Sequence, residues 1–439
     1  MLDITQFGAT PNTGELCTAA IQAAIDAAQG GTVRIPAGEF LTGTLDLKGA
    51  SLHLDKGAVL KGSPRMADYV WNGYDHNEMG KVLSLLTCMD CDDIRITGEG
   101  TIDLNGDAFY HLDRPNVPQS AVPLTPAQLD ECTRLYEARP NQPIFFLRCR
   151  RVTVQGVRIV NAPCWTMSFV ECEDVKVLDL TIDNNLQLPN NDGMHFCSCR
   201  GVIVRGCNIS AGDDCIALSA ITDWDKPCED IVISDCILRS CSKAVVVGYM
   251  HSIVRNVVIS NVIIRESNRG LTIMTSSRTG LVENVQATNV RIDTRVRAGG
   301  WWGNGEAVCI MATHHHLANY ARPEPAPRFD VNVRNVTMNG LVCSSENALA
   351  IVGEGDNVRG VRLLNVDVTL KDSDNRAIKG DLIDLSPGEQ NARLPQDGTD
   401  TWLFLQGVQE VLVANAWVHP FHGRMPAVVE RNCQGVTFR

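Results

Sequence analysis

Three aspartates carry the chemistry this chain could perform. Asp213 and Asp214 stand side by side in SAGDDCIALS, residues 210–219, at the edge of an apolar run, and Asp192 lies in PNNDGMHF, residues 189–196. Carboxyls held close together disfavour joint ionisation, so one keeps its proton to higher pH while others stay charged. That division suits hydrolysis of a glycosidic bond, in which a protonated carboxyl donates to the leaving oxygen and a carboxylate activates water. A lone aspartate in a turn more simply caps backbone N–H groups; three together favour chemistry. Convergence depends on register. If Met194 and Phe196 match Ile216 and Leu218 on neighbouring rungs, Asp192 falls beside Asp214 with Asn190 close by, and a slip of one residue would spoil the arrangement. Adjacent residues of an extended strand point to opposite faces, so Asp213 and Asp214 share a cleft only where the backbone bends, and Gly212 is placed to permit that bend.

The element that must position these residues is a repeat. CDDIRITGEGTI at 91, CRRVTVQGVRI at 149, CEDVKVLDLTI at 172, CRGVIVRGCNI at 199 and CEDIVISDCIL at 228 share a cysteine, two mostly polar residues, a β-branched anchor and apolar alternation. The phrase continues without its cysteine in VRNVVISNVII at 254, VENVQATNVRI at 282, VRNVTMNGLVC at 333, VRGVRLLNVDV at 358 and VQEVLVANAWV at 408. A period of roughly 25 residues with two or three short strands per turn is that of a solenoid coil. The reading is all-β: one domain over residues 1–439, a right-handed parallel β-helix whose coils stack about 4.8 Å apart and whose inner positions form ladders of like residues. Cysteines at equivalent positions are then small core hydrophobes. Residues 16–31, with apolar residues at helical spacing and a Gly-Gly stop, predict a capping helix over the first coil. Residues 105–143, in which TPAQLDECTRLYEARP predicts a capped helix, and residues 294–328 interrupt the repeat and predict loop insertions near a cleft.

Composition excludes several partners. The chain has 439 residues, is 44% hydrophobic and carries a formal charge of −12, which disfavours nucleic acid and anionic membrane surfaces. No apolar run is long enough to span a bilayer. The opening MLDITQFGAT shows no basic leader or apolar segment, and 17 cysteines, an odd count, mostly single in apolar runs, fit a reducing compartment; both lead to an expectation of a cytoplasmic protein acting on small imported oligosaccharides. Trp302, with Trp301 and Glu306, could wall the cleft, or the tryptophan pair could pack the loop; Trp165, one coil before Asp192, is similar. His195 is a candidate substrate contact with a structural role equally open, and Tyr249, followed by Met250, could narrow a subsite. The run His314, His315 and His316 is not read as a metal tract, because consecutive residues rarely converge on one ion.

The opening DITQFGATPNTG…GTVRIPAGEFLTGTLDLKGASLHLDKGAVLKGS, followed in order by RPNQPIFFLRC, NAPCW, NNDG, AGDDCIAL and SNRGLTIMT, is similar to glycoside hydrolase family 28, the polygalacturonase and rhamnogalacturonase family, through about residue 290. The resemblance implies a pectinase-type β-helix and hydrolysis with inversion, without metal or cofactor. It implies Asp213 as general acid, Asp192 and Asp214 as the pair that orients and activates water, and Asn190 as the Asn of the Asn-Thr-Asp motif, with Asn191 in place of Thr. Where the family carries Gly-His-Gly this chain has Ser242, Lys243 and Ala244, and where it carries Arg-Ile-Lys it has Thr272, Ile273 and Met274. Bacterial members often have His at Ser168 and Lys at Ser219. Each lost cation is one fewer partner for a sugar carboxylate. The expectation is therefore a working, exo-acting glycosidase with altered recognition, taking either a neutral sugar or an acidic one held by Lys243, Arg269 or Arg278. Asn190, His195, Trp165, Lys243, Tyr249, Thr272, Met274 and Trp302 are the expected substrate contacts. The alternatives are a uronate lyase, epimerase or transglycosylase on the same scaffold, and a glycan-binding β-helix without catalysis.

Overall fold

The computed structural model describes residues 1–117, 123–220, 226–313, 328–375 and 401–439. Short strands stack in parallel into two long ladders, one of 12 strands and one of 21 among the described residues, giving the right-handed parallel β-helix. The 12-strand ladder includes Met167–Val170, Met194–Cys197, Ile216–Ser219 and Lys243–Val247. The larger ladder holds two strands per coil, such as Glu173–Leu178 and Thr181–Asp183, which fuse into single bent strands from Ile253–Ser267 onward.

The repeat phrase maps onto this geometry residue by residue. Its alternating apolar positions point inward and stack as Val154, Val177, Val204, Ile233 and Ile259. A second ladder runs Ile159, Ile182, Ile209 and Leu238. The polar positions make the corners. Asp174, Asp179, Asp230, Asp235, Asn256, Asn261, Asn284 and Asn289 all adopt left-handed backbone with φ between 53 and 60°, a conformation that Asn and Asp enter at lower cost than other residues carrying a Cβ. Asparagine side chains then bond from coil to coil: Asn284 donates to Asn256 at 3.1 Å and accepts from Asn335 at 3.3 Å. Asn284→Ala removes both bonds and leaves a poorly suited residue at a left-handed corner. The expected cost is about 2 kcal/mol, read as a lower urea midpoint with an unchanged slope.

One apolar core runs from Ile4 to Phe421. Phe146, Phe169 and Phe196 stack through it with centroids 5.1 and 5.0 Å apart and planes within 7°. All 17 cysteines are free and 15 are buried, several in core ladders as the repeat predicts. The first coil is closed by α1, Thr18–Ala28, which buries Ile21, Ala24 and Ile25 on one face. Gln22 of α1 bonds the backbone of Asp46 in both directions, at 2.9 and 3.0 Å, and so fastens the cap to the first strand of the smaller ladder. The first insertion holds a short antiparallel pair, Tyr110–Pro115 with Arg134–Tyr136, and α2, Pro126–Glu131, with the capping box of Thr125 and Gln128. A second antiparallel pair, Trp71–His76 with Gly80–Leu83, was not expected from the sequence. No helix among the described residues is long and apolar enough to cross a membrane.

Candidate active site

Strand Met194–Cys197 pairs in parallel with Ile216–Ser219, matching Met194 to Ile216 and Phe196 to Leu218. This is the expected register, and it brings Asp192 level with Asp214. One carboxyl oxygen from each of Asp192, Asp213 and Asp214 lies within 4.8 Å of the other two, and all three residues are buried. They line an open pocket on the outer face of the smaller ladder.

The local folding that achieves this is a set of polar staples between coils. Asn191, wholly buried, accepts from the Gly212 backbone at 2.5 Å and donates to the carbonyl of Asn185 at 2.7 Å. A Cβ on Gly212 would lie 2.4 Å from the Leu188 carbonyl oxygen and 2.5 Å from Asn191 Oδ1. Gly212 is thus required by close approach between coils; it is this contact that places Asp213 and Asp214 in the bend. The Ser240 hydroxyl donates to the Asp213 carbonyl at 2.6 Å, and the Gly193 amide donates to that of Asp214 at 2.8 Å.

Each carboxyl has a different environment. Asp213 Oδ2 accepts from Asn190 Nδ2 at 3.3 Å. Burial, then the charges of Asp192 and Asp214, push its titration well above the usual carboxylate range. Asp192 Oδ2 is 2.8 Å from His195 Nε2, while its Oδ1 is buried with no hydrogen-bond partner among the described residues. Burial and the charge of Asp214 raise Asp192 as well. Asp214 faces Lys243: its Oδ1 accepts from the Lys243 amide at 3.1 Å and from Nζ at 3.2 Å. Burial works against the Lys243 charge, but Asp214 and Asp213 outweigh it and hold the ammonium above its ordinary value. Among the described residues these three aspartates are the cluster spaced closely enough to hold a cation, and Lys243 supplies a positive charge there.

The other expected contacts divide. Asn190, Trp165, His195, Tyr249, Lys243 and Trp302 line the pocket. Trp165 stacks on His195 at 3.6 Å with planes 11° apart, and burial drives the imidazole down to about 3, so it is neutral at ordinary pH. His195 therefore serves both readings: it borders the pocket and fixes Asp192. Lys243 Nζ also stands 5.8 Å from the centroid of the Trp302 ring. Trp301 does not face the cleft; it is buried and its Nε1 donates to the Glu131 carbonyl at 2.7 Å, packing the loop against α2. Thr272 and Met274 are 1% and 0% exposed and are not among the pocket-lining residues. They occupy the outward rows beyond Val246, where Met274 packs with Met311 and Val352 under cover, so direct substrate contact is not their role. Arg269 is equally sealed, bound at 3.0 Å by two bonds to Glu306, with both side chains 0% exposed. Arg278 lines a separate concavity with Asp330 and Glu354. Ser219 reaches the pocket, whereas Ser168 is buried one rung before His195. His314, His315 and His316 lie outside the described residues.

Two residues at the site were not anticipated. Arg139, in the first insertion, donates to Asn190 Oδ1 at 2.8 Å and lies 4.0 Å from the Tyr136 ring; it also bonds the Tyr110 hydroxyl and the Pro163 carbonyl. It orients the amide that meets Asp213, and its signal in the sequence was the arginine that opens RPNQPIFF rather than any periodicity. Glu78, in the unexpected hairpin, is a fourth carboxyl in the pocket wall. Burial, then Asp192 and Asp214, push it up to about 8 against an opposing pull from Lys243.

The model for glycosyl hydrolases family 28 matches residues 27–380, most of the chain. The chain belongs to this family. Family 28 relatives include an exo-poly-alpha-D-galacturonosidase of Dickeya chrysanthemi, 28% identical over 62% of this chain and 51% of its own length. An exopolygalacturonase of Zea mays is 27% identical over 49% of this chain and 48% of its own length. The matched region thus spans about half the length of these curated relatives. Among solved structures, the family 28 exopolygalacturonase of Yersinia enterocolitica superposes with a TM-score of 0.70 at 18% identity, covering 99% of this chain and 77% of that one. At that identity the likeness speaks for the fold.

Proposed function

We propose that this family 28 protein is an exo-acting glycosidase that removes a terminal sugar from small pectin-type or other plant-derived oligosaccharides. The observation that carries the reading is the pairing of Met194 with Ile216, because it brings Asp192 from the previous coil beside the adjacent Asp213 and Asp214. Asp213, a carboxyl of raised titration that is held by Asn190, donates its proton to the glycosidic oxygen as the bond to the anomeric carbon breaks. Asp214, bonded to Lys243, accepts a proton from the attacking water. Asp192 Oδ1, buried and unpartnered, orients that water.

Inversion is the outcome we propose, and it must be reconciled with spacing. Pairwise separations within 4.8 Å are tighter than the ~6.5–9.5 Å usual for inverting pairs. Retention would require one carboxylate to attack carbon, yet Asp214 is engaged by Lys243 and Asp192 by His195. A water held between those two leaves the acid on its own side, which favours inversion. Exo action is supported by the hairpin at 71–83 and the loop bearing Trp302, which both contribute pocket-lining residues, and by the exo-acting names of the relatives. Altered recognition is supported by the fate of the expected cations: Arg269 is sealed, Arg278 lies elsewhere and Lys243 is engaged by Asp214. The free thiols support a reducing, cytoplasmic setting.

The test is product analysis on oligogalacturonides, polygalacturonate and neutral aryl glycosides. New reducing ends without ultraviolet absorbance, monosaccharide as first product and an inverted anomer by NMR are expected. An unsaturated, absorbing product would replace hydrolysis by elimination, and strong turnover of polygalacturonate would refute the altered recognition.

A further inference from the structure

The hairpin 71–83 brings to the pocket the one lining carboxyl that the reaction above does not use. Its turn is fixed from both sides. The amides of Glu78 and Met79 both approach His76 Nδ1, at 3.2 and 3.3 Å. His76 is buried edge-on against Trp165, centroids 5.2 Å apart and planes at 85°. From the other side Asn141 donates to the carbonyls of Met79 and Lys81, both at 2.9 Å, and accepts from the Leu83 amide at 2.9 Å. A loop pinned by buried aromatic and amide contacts presents its side chain in one place. Among the described residues, no hydrogen bond or ion pair to the Glu78 carboxyl is seen, and it borders the same pocket as the three aspartates.

The charge balance of that pocket is lopsided. Four lining carboxyls, Glu78, Asp192, Asp213 and Asp214, face one ammonium, Lys243, which lies 3.2 Å from Asp214. A sugar bearing its own carboxylate would enter with no unpaired cation to meet it, and burying an uncompensated charge is costly. An uncharged sugar brings only hydroxyls, for which a carboxyl is a good partner in either protonation state.

We propose that Glu78 is the specificity-determining residue of this site, binding hydroxyls of an uncharged terminal sugar and turning away a uronic acid at the same position. The proposal rests on the glycosidase reading and deepens it by naming the substrate class. Its raised titration, caused by burial and by Asp192 and Asp214, fits: at neutral pH the protonated carboxyl both donates to and accepts from sugar hydroxyls. Above about 8 it adds a negative charge and rejects a uronate more strongly.

The experiment uses matched sugars that differ only at the terminal carbon, hexose against hexuronic acid in the galacto, gluco and manno series. Binding is read by quenching of tryptophan fluorescence, since Trp165 and Trp302 line the pocket, and turnover by the corresponding para-nitrophenyl glycosides. At pH 9, where Glu78 carries its charge, the wild-type protein should prefer the neutral member of the bound pair by about 100-fold, the size expected where like charges meet at a desolvated contact. In E78Q and E78A that preference at pH 9 should fall at least about tenfold, through stronger binding of the acid in both and, in E78A alone, weaker binding of the hexose as well. Equal or tighter binding of the acid by wild type in every pair that binds overturns the proposal, as does binding of neither member of any pair. A preference unchanged within about twofold in both variants, folded by circular dichroism, overturns it too. Binding that follows the expected pattern without turnover of any glycoside sinks the glycosidase reading and leaves the assignment of Glu78 standing.

Discussion

Replacing Asp213 by Asn is expected to lower kcat on an alkyl-linked disaccharide about 10³-fold, equivalent to ~4 kcal/mol of transition-state stabilisation. The substitution keeps the shape and removes the proton that the leaving oxygen needs. The loss should shrink on para-nitrophenyl glycosides, whose leaving group departs without protonation, and this dependence on leaving group separates an acid from a residue that merely holds the fold. The pH profile gives a second signature. Asp213 titrates well above the ordinary range because of burial and the charges of Asp192 and Asp214, so wild-type kcat/KM should fall as pH rises through that value, and D213N should lose this alkaline limb. The variant's stability should move the opposite way to its activity. A carboxyl whose folded pKa exceeds its unfolded one binds more protons in the native state, so the native state loses stability as pH rises between the two values. Asn cannot ionise, and D213N should therefore melt higher than wild type in that window. A variant with full activity, or with an equal loss on all leaving groups, removes Asp213 from the acid role.

The register that makes this prediction possible was legible because the chain repeats itself. Cys172, Cys199 and Cys228 each start a phrase whose Val or Ile anchors must stack inward, which fixes the rungs and, through the short link to the next strand, the level of Asp192 and Asp214. The cap at Thr18–Ala28 and the short helix at Pro126–Glu131 followed from helical spacing and a capping box. Pocket residues outside the repeat were another matter. Thr272 and Met274 lie on outward rows, but which stretches of the outward face stay open depends on the covering loops, and periodicity carries no record of that. Glu78 and Arg139 sit on such covering segments, and no period announces them. Trp301 and Trp302 are adjacent in sequence, yet only the bond from Trp301 to Glu131 decides which of them packs the loop. Lys243 was visible as a replacement for a family histidine, but its partner could be named only once the two coils were in place.

Lys243→Met is the second large effect. The ammonium lies 3.2 and 3.5 Å from the two oxygens of Asp214, with both side chains buried. Removing one partner of such a pair strands the other charge, and the expected loss is about 3–5 kcal/mol in unfolding free energy, whereas Lys243→Arg, which keeps the charge, should lose much less. Wild-type stability should carry the matching pH dependence. Lys243 titrates above its unfolded value because Asp214 and Asp213 overcome the opposing effect of burial. Its contribution is therefore complete below about 10.4, the unfolded value, and disappears as pH rises through the folded one. In K243M that alkaline step should be missing. Activity should change in a way that simple destabilisation does not explain. Without the cation, three neighbouring carboxyls share one small volume, protons are retained to higher pH, and the acid limb of kcat/KM should move upward because the base must ionise before water can be activated. Measured at a temperature where the variant remains folded, an unshifted acid limb would mean that Lys243 does not hold the base of this site in its charged form. A displaced limb with a lowered kcat would make the lysine the charge partner on which the division of labour among Asp192, Asp213 and Asp214 depends.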